Sequence, residues 1–103
     1  MKREVEYSIR LSARDRYRHK HIRERGKVIY FSIQLETMIK GEWYPIVRYD
    51  TSHDFAHRDL LGRKGETITK TPIFVRDYND ALTFAESDLK ANWIVYKERF
   101  LRG

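Results

Sequence analysis

Between Leu82 and Phe100 the larger apolar residues recur at steps of three and four: Leu82, Ala85, Leu89, Trp93, Tyr96 and Phe100. That spacing puts them on one stripe of an α-helix. The predicted helix has about 20 residues and is about 30 Å long. It begins after Pro72, where Asp77 to Asp80 offer N-cap candidates, and ends in Lys97, Arg99 and Arg102, cations that suit the C-terminal end of its dipole. Burying five large side chains of the stripe contributes roughly 7–15 kcal/mol before entropy is counted. The stripe therefore needs an apolar surface to cover, and the rest of the chain must supply it.

The surface predicted is a sheet. Residues 4–11 alternate without interruption, with Val5, Tyr7, Ile9 and Leu11 on one side of an extended chain. Residues 27–39 repeat the pattern, with Ile29, Phe31, Ile33 and Leu35 facing one way and Tyr30, Ser32, Gln34 and Glu36 the other. Lys40-Gly41 turns the chain into a strand at 42–51, where Pro45, lacking an amide hydrogen, belongs at an edge or a bulge. A short piece at 57–61 and the turn Gly62-Arg63-Lys64-Gly65 lead to a strand at 66–71. Ser12 to Gly26 breaks the alternation and reads as a weak helix or a mobile loop that supplies little core. The expected fold is α+β: an antiparallel β-meander of four to five strands packed against one long C-terminal helix. It forms a single domain over residues 1–103 with a basic segment at 10–27.

The 103 residues are 41% hydrophobic and 35% charged, enough for one core with a solvated exterior. There is no cysteine, which excludes disulfides, thiolate metal sites and cysteine nucleophiles. No apolar run approaches a membrane span and the first residues are charged, so the expected location is the cytoplasm, with no membrane partner. The net charge is +6, and residues 1–27, with ten Lys/Arg against four Asp/Glu, hold all of it. A basic segment on a neutral body suits polyanions, because phosphate contacts release counterions. Arg14, Arg16, Arg18, Lys20, Arg23 and Arg25 are the candidate phosphate contacts, and Tyr17 the candidate stacking ring. The same cations suit the acidic face of a protein.

Chemistry concentrates in RYDTSHDFAHRD, residues 48–59. His53 or His57 as general acid or base, Arg58 steadying phosphate charge, and Asp50 or Asp59 orienting an imidazole would make a nucleolytic set. His53 and His57 also stand four apart, as in helical zinc motifs, and Asp50, His57 and Asp59 offer another ligand set. The first of these follows a strand rather than lying on a helix, so no metal and no cofactor is assigned. Asp50, Thr51, Ser52 and Asp54 are equally the residues of a turn. His57-Arg58-Asp59 lacks the Gly-rich loop and DFG triplet of a kinase, and no P-loop, GxGxxG or GxSxG is present.

The blocks RYDTSHDFAHRDLL and ALTFAESDLKANWIVYKERFL resemble an uncharacterised group of roughly hundred-residue prokaryotic proteins over residues 28–102. More distantly the chain is similar to toxins of the TumE type, through Arg48, Tyr49 and Asp50 after a strand and the histidines that follow. That family has closely spaced histidines where only His57 stands here, followed by Arg58-Asp59. The resemblance implies a toxin-antitoxin or defence neighbourhood and action on RNA. The leading reading is a small RNA-associated domain, ribonuclease-like or a toxin-antitoxin component. Beside it stand a non-enzymatic interaction module, its histidine loop only a turn, that forms a homodimer at the edge near Pro45 or binds an acidic protein, and a metal-dependent hydrolase.

Overall fold

A computed structural model describes residues 1–103. Six strands, β1 (Lys2–Ser12), β2 (Asp15–Glu24), β3 (Lys27–Ile39), β4 (Glu42–Asp50), β5 (His57–Leu61) and β6 (Thr67–Pro72), lie in sequence order across one antiparallel sheet. A 3-10 turn, Ser52–Asp54, joins β4 to β5, and the helix α1 (Tyr78–Arg102) follows β6. No helix is long and apolar enough to cross a membrane.

The α+β class is as expected, but the sheet has six strands rather than four or five. The additional strand is β2, in the stretch read as a weak helix or loop. Its inward positions are Asp15, Tyr17, His19 and His21, all buried. Because three of the four are polar or titratable, the period-2 alternation is present without being apolar, and the segment does supply core.

Two tight hairpins fix the register. Arg25-Gly26 and Lys40-Gly41 are two-residue loops in which all four φ angles are positive, the pattern of type I′ turns. Two bulges then adjust it. Between β2 and β3, Ile22 faces Tyr30 while Arg23 faces Val28, so Ile29 is the extra residue. Val28 is buried and Ile29 exposed, against the expectation that Ile29 faces the core. Between β3 and β4, Ile46 is the extra residue, and Pro45 sits beside it, beyond the stretch of β4 that pairs with β5.

Directly opposed residues share a face, so the register sorts the side chains into rows. One row under the helix runs Ile9, Tyr17, Leu35, Val47, Leu60 and Thr69; the next runs Tyr7, His19, Ile33, Tyr49, Arg58 and Thr71. The apolar members of the middle strands join Leu82, Ala85, Leu89 and Phe100 of α1 in the core. Trp93 and Tyr96 pack against it from the side. Asp77 caps the helix, accepting from the Asp80 amide at 2.9 Å. At the far end Arg63 donates to the carbonyls of Phe100 and Leu101, and Arg99 donates to those of Leu61 and Ile46. The helix covers the middle of the sheet, and the inward residues Tyr7 and Ile9 of β1 stay 38% and 40% exposed.

Candidate nucleic-acid interface

The face of the sheet away from the helix is polar. One row crosses all six strands as Ser8, Arg18, Gln34, Arg48, Asp59 and Lys70, and its neighbour runs Glu6, Lys20, Ser32, Asp50, His57 and Pro72. Around Arg18, Lys20, Tyr30 and Gln34 these rows enclose an open trough of about 520 Å³.

A buried carboxylate organises the cations. Glu36, 4% exposed, accepts from Arg16 Nε at 2.6 Å on Oε1 and from Gln34 Nε2 at 2.5 Å on Oε2, and Arg18 Nε also lies 3.1 Å from Oε2. Gln34 Oε1 in turn accepts from Arg48 Nε at 2.9 Å. Three guanidiniums are thus held through Nε, with their terminal nitrogens left to meet anions in the forked geometry that suits phosphate. Arg16 also lies over the Trp43 ring, 4.0 Å from its centroid, with Arg10 at 5.3 Å. Lys20 is 3.1 Å from Glu4, whose hydrogen bond and charge raise the Lys20 pKa above its ordinary value.

Of the seven predicted nucleic-acid contacts, the structure brings Arg16, Arg18 and Lys20 together on this face. Tyr17 is 3% exposed under the helix, so it is a core residue and not a stacking ring. Arg23 belongs to the opposite face by alternation. Arg14 and Arg25 occupy the turns at the two ends of β2. Sequence reasoning missed Arg48, Gln34 and Tyr30 as members of the face. The signal was available in the polar half of the β3 alternation, Tyr30, Ser32, Gln34 and Glu36.

The predicted catalytic set is also divided. His57, 1% exposed, is gripped at both nitrogens: Nε2 is 2.9 Å from Asp50 Oδ1 and Nδ1 is 3.0 Å from Asp59 Oδ1. The 51–56 loop closes over it, with the Phe55 ring centroid 5.2 Å and the His53 centroid 6.5 Å away. Ser52 donates from both its amide and hydroxyl to Asp50 Oδ1, so its hydroxyl proton is not directed at His57. An imidazole occupied at both nitrogens and shielded from solvent orders the loop; it offers no nitrogen to a substrate. The ring separates the two carboxylates, and no group of three or more His, Asp or Glu side chains is arranged to hold a metal ion.

Arg58 points the other way, because successive residues of a strand alternate faces. It donates to Tyr96 Oη at 3.0 Å and lies 3.8 Å from Asp88. Asp88 also accepts from Tyr49, Tyr96 and Asn92. Burial, and then the Asp88 bond, push the Tyr49 hydroxyl pKa far up, so it stays protonated as a donor. A second inward cluster joins His19 Nε2 to His21 Nδ1 at 2.6 Å, beside Tyr7 and Glu86. Burial is the main cause holding both imidazoles below their ordinary pKa. Asp15, buried at the mouth of the first hairpin, meets Ser12 at 2.5 Å and Lys97 at 2.9 Å. Burial works to raise its pKa, but these bonds prevail and lower it.

Fold and surface together define a small α+β protein that shields one face of its sheet with a helix and leaves the other open, polar and lined with arginines. The chain belongs to the family described as a domain of unknown function, DUF7718, in a match that spans residues 1–103. Comparison with curated proteins and with solved structures finds no match.

Proposed function

We propose that the open face of the sheet binds single-stranded RNA, with Arg16, Arg18, Lys20 and Arg48 contacting phosphates and Tyr30 offering a ring for a base. The observation that carries this reading is the shared anchoring of Arg16 and Arg18 on Glu36 and of Arg48 on Gln34. Fixing these forks before binding lowers the entropy lost when an anion is met. An open trough with a half-exposed aromatic ring suits an unpaired strand, whose bases can lie flat on a π-face. The reading is of binding rather than cleavage, since His57 has no free nitrogen. The ground for a toxin-antitoxin setting is the sequence resemblance of Arg48, Tyr49 and Asp50 to TumE-type toxins, although these residues close β4 rather than follow it.

The test is binding of a fluorescent single-stranded RNA by the wild type and by the triple variant Arg18→Gln, Lys20→Gln, Arg48→Gln. Arg16 is kept so that Glu36 retains a cation. Affinity lost in this variant and kept in Arg14→Gln, Arg25→Gln supports the reading; equal loss in both, or no binding by the wild type, refutes it.

A further inference from the structure

The sheet leaves one long edge open. β1 pairs with β2 on one side only, over Lys2–Ser12, and the inward residues Tyr7 and Ile9 on that strand lie beyond the reach of the helix, about two-fifths exposed. An exposed edge of this length is a template for another strand unless its residues repel one. The charges of β1 run positive, negative, positive, with Glu4 and Glu6 between Lys2, Arg3 and Arg10, so that Glu4 can meet Arg10 in the strand's own antiparallel copy.

We propose that two copies of the chain join edge to edge through β1, with Tyr7 opposite Tyr7 on a two-fold axis normal to the sheet. In this register Glu4 faces Arg10 twice, Val5 faces Ile9 twice, Glu6 faces Ser8 twice, and the strand is paired from Glu4 to Arg10, up to the register shift that precedes Ser12. Such an interface is isologous, each contact occurring twice. Opposite charges and apolar pairs directly across an antiparallel ladder are stabilising.

The other registers fit less well. Centring on Glu6 sets Glu6 against Glu6 and Lys2 against Arg10. Centring on Ser8 keeps Glu6 against Arg10 but sets Glu4 against Ser12, past the register shift. A slip of one residue is excluded, because it would set the apolar side of one strand beside the polar side of the other. The remaining edge, β6, is shorter and ends in Pro72. The product is a continuous sheet of two six-stranded halves. An axis normal to the sheet keeps both open faces on the same side, and Glu6 and Ser8, which line each trough, then flank the seam.

The experiment uses the full chain. Light scattering after size exclusion should give twice the 12.5 kDa mass. Because the protein has no cysteine, a Tyr7→Cys variant reports the register directly. Opposed Cα atoms in an antiparallel pair lie roughly 4.5–5.5 Å apart, within disulfide reach. Mild oxidation should link Tyr7→Cys chains into dimers, while Arg14→Cys and Ser8→Cys chains link slowly. Glu4→Arg should weaken the dimer about tenfold, two cross-strand pairs being lost, and adding Arg10→Glu should restore it. A monomer, or a dimer in which Tyr7→Cys links no faster than Arg14→Cys, overturns the proposal.

Discussion

Tyr49 and Asp88 meet across the interface of sheet and helix, the tyrosine hydroxyl donating to the carboxylate at 2.7 Å from a residue with no exposed surface. Asp88 keeps Tyr96 and Asn92 when the Tyr49 hydroxyl is removed, whereas removing Asp88 takes one acceptor from Tyr49, Tyr96 and Asn92 together. Tyr49→Phe should therefore cost about 1 kcal/mol, and Asp88→Ala about 2–3 kcal/mol, since it removes the acceptor of three donors at once. Urea denaturation of both variants measures the difference. Equal losses would show that Asp88 is not the organising acceptor.

His57 gives the sharpest separation between a structural and a chemical role. With Asp50 and Asp59 on its two nitrogens, His57→Ala leaves two largely buried carboxylates facing a cavity. The expected loss is about 3 kcal/mol, from leaving two buried acceptors without the ring they share. Thermal denaturation reads it. A variant as stable as the wild type would contradict the structural role and return His57 to the list of chemical candidates.

The inward histidines make stability depend on pH. His19 and His21 have folded pKa values below the unfolded value of about 6.5, so the unfolded chain binds more protons in the window below it. Their contribution is complete above about pH 6.5 and is lost as pH falls through the folded values. The melting temperature should drop between pH 7.5 and about 5, and the drop should shrink in His19→Gln. Asp15, with its lowered value, adds a loss only further down, below about pH 3.8. An unchanged profile in His19→Gln would remove the histidine pair as its cause.

Much of this architecture is written in periodicity. The helix stripe and its Asp77 cap were legible because their spacing and residue types have one physical solution, and β3 was legible because its alternation is apolar on one side. β2 was not, because Asp15, His19 and His21 occupy inward positions where a pattern reader looks for aliphatic residues. The 48–59 cluster stood out by composition. Alternation alone could have separated Arg58 from His57 and Asp59, whereas the closing of the loop over His57 depends on His53 and Asp54 adopting positive φ, which no residue pattern announces.

The salt dependence of RNA binding tests the central claim most directly. If Arg16, Arg18, Lys20 and Arg48 each meet a phosphate, log affinity should fall against log salt with a slope of about −3, the single-strand value for four contacts. In the triple variant Arg18→Gln, Lys20→Gln, Arg48→Gln the slope should flatten by about 2. A slope that is the same in wild type and variant, or no binding by the wild type at low salt, would contradict the assignment of the open face to RNA.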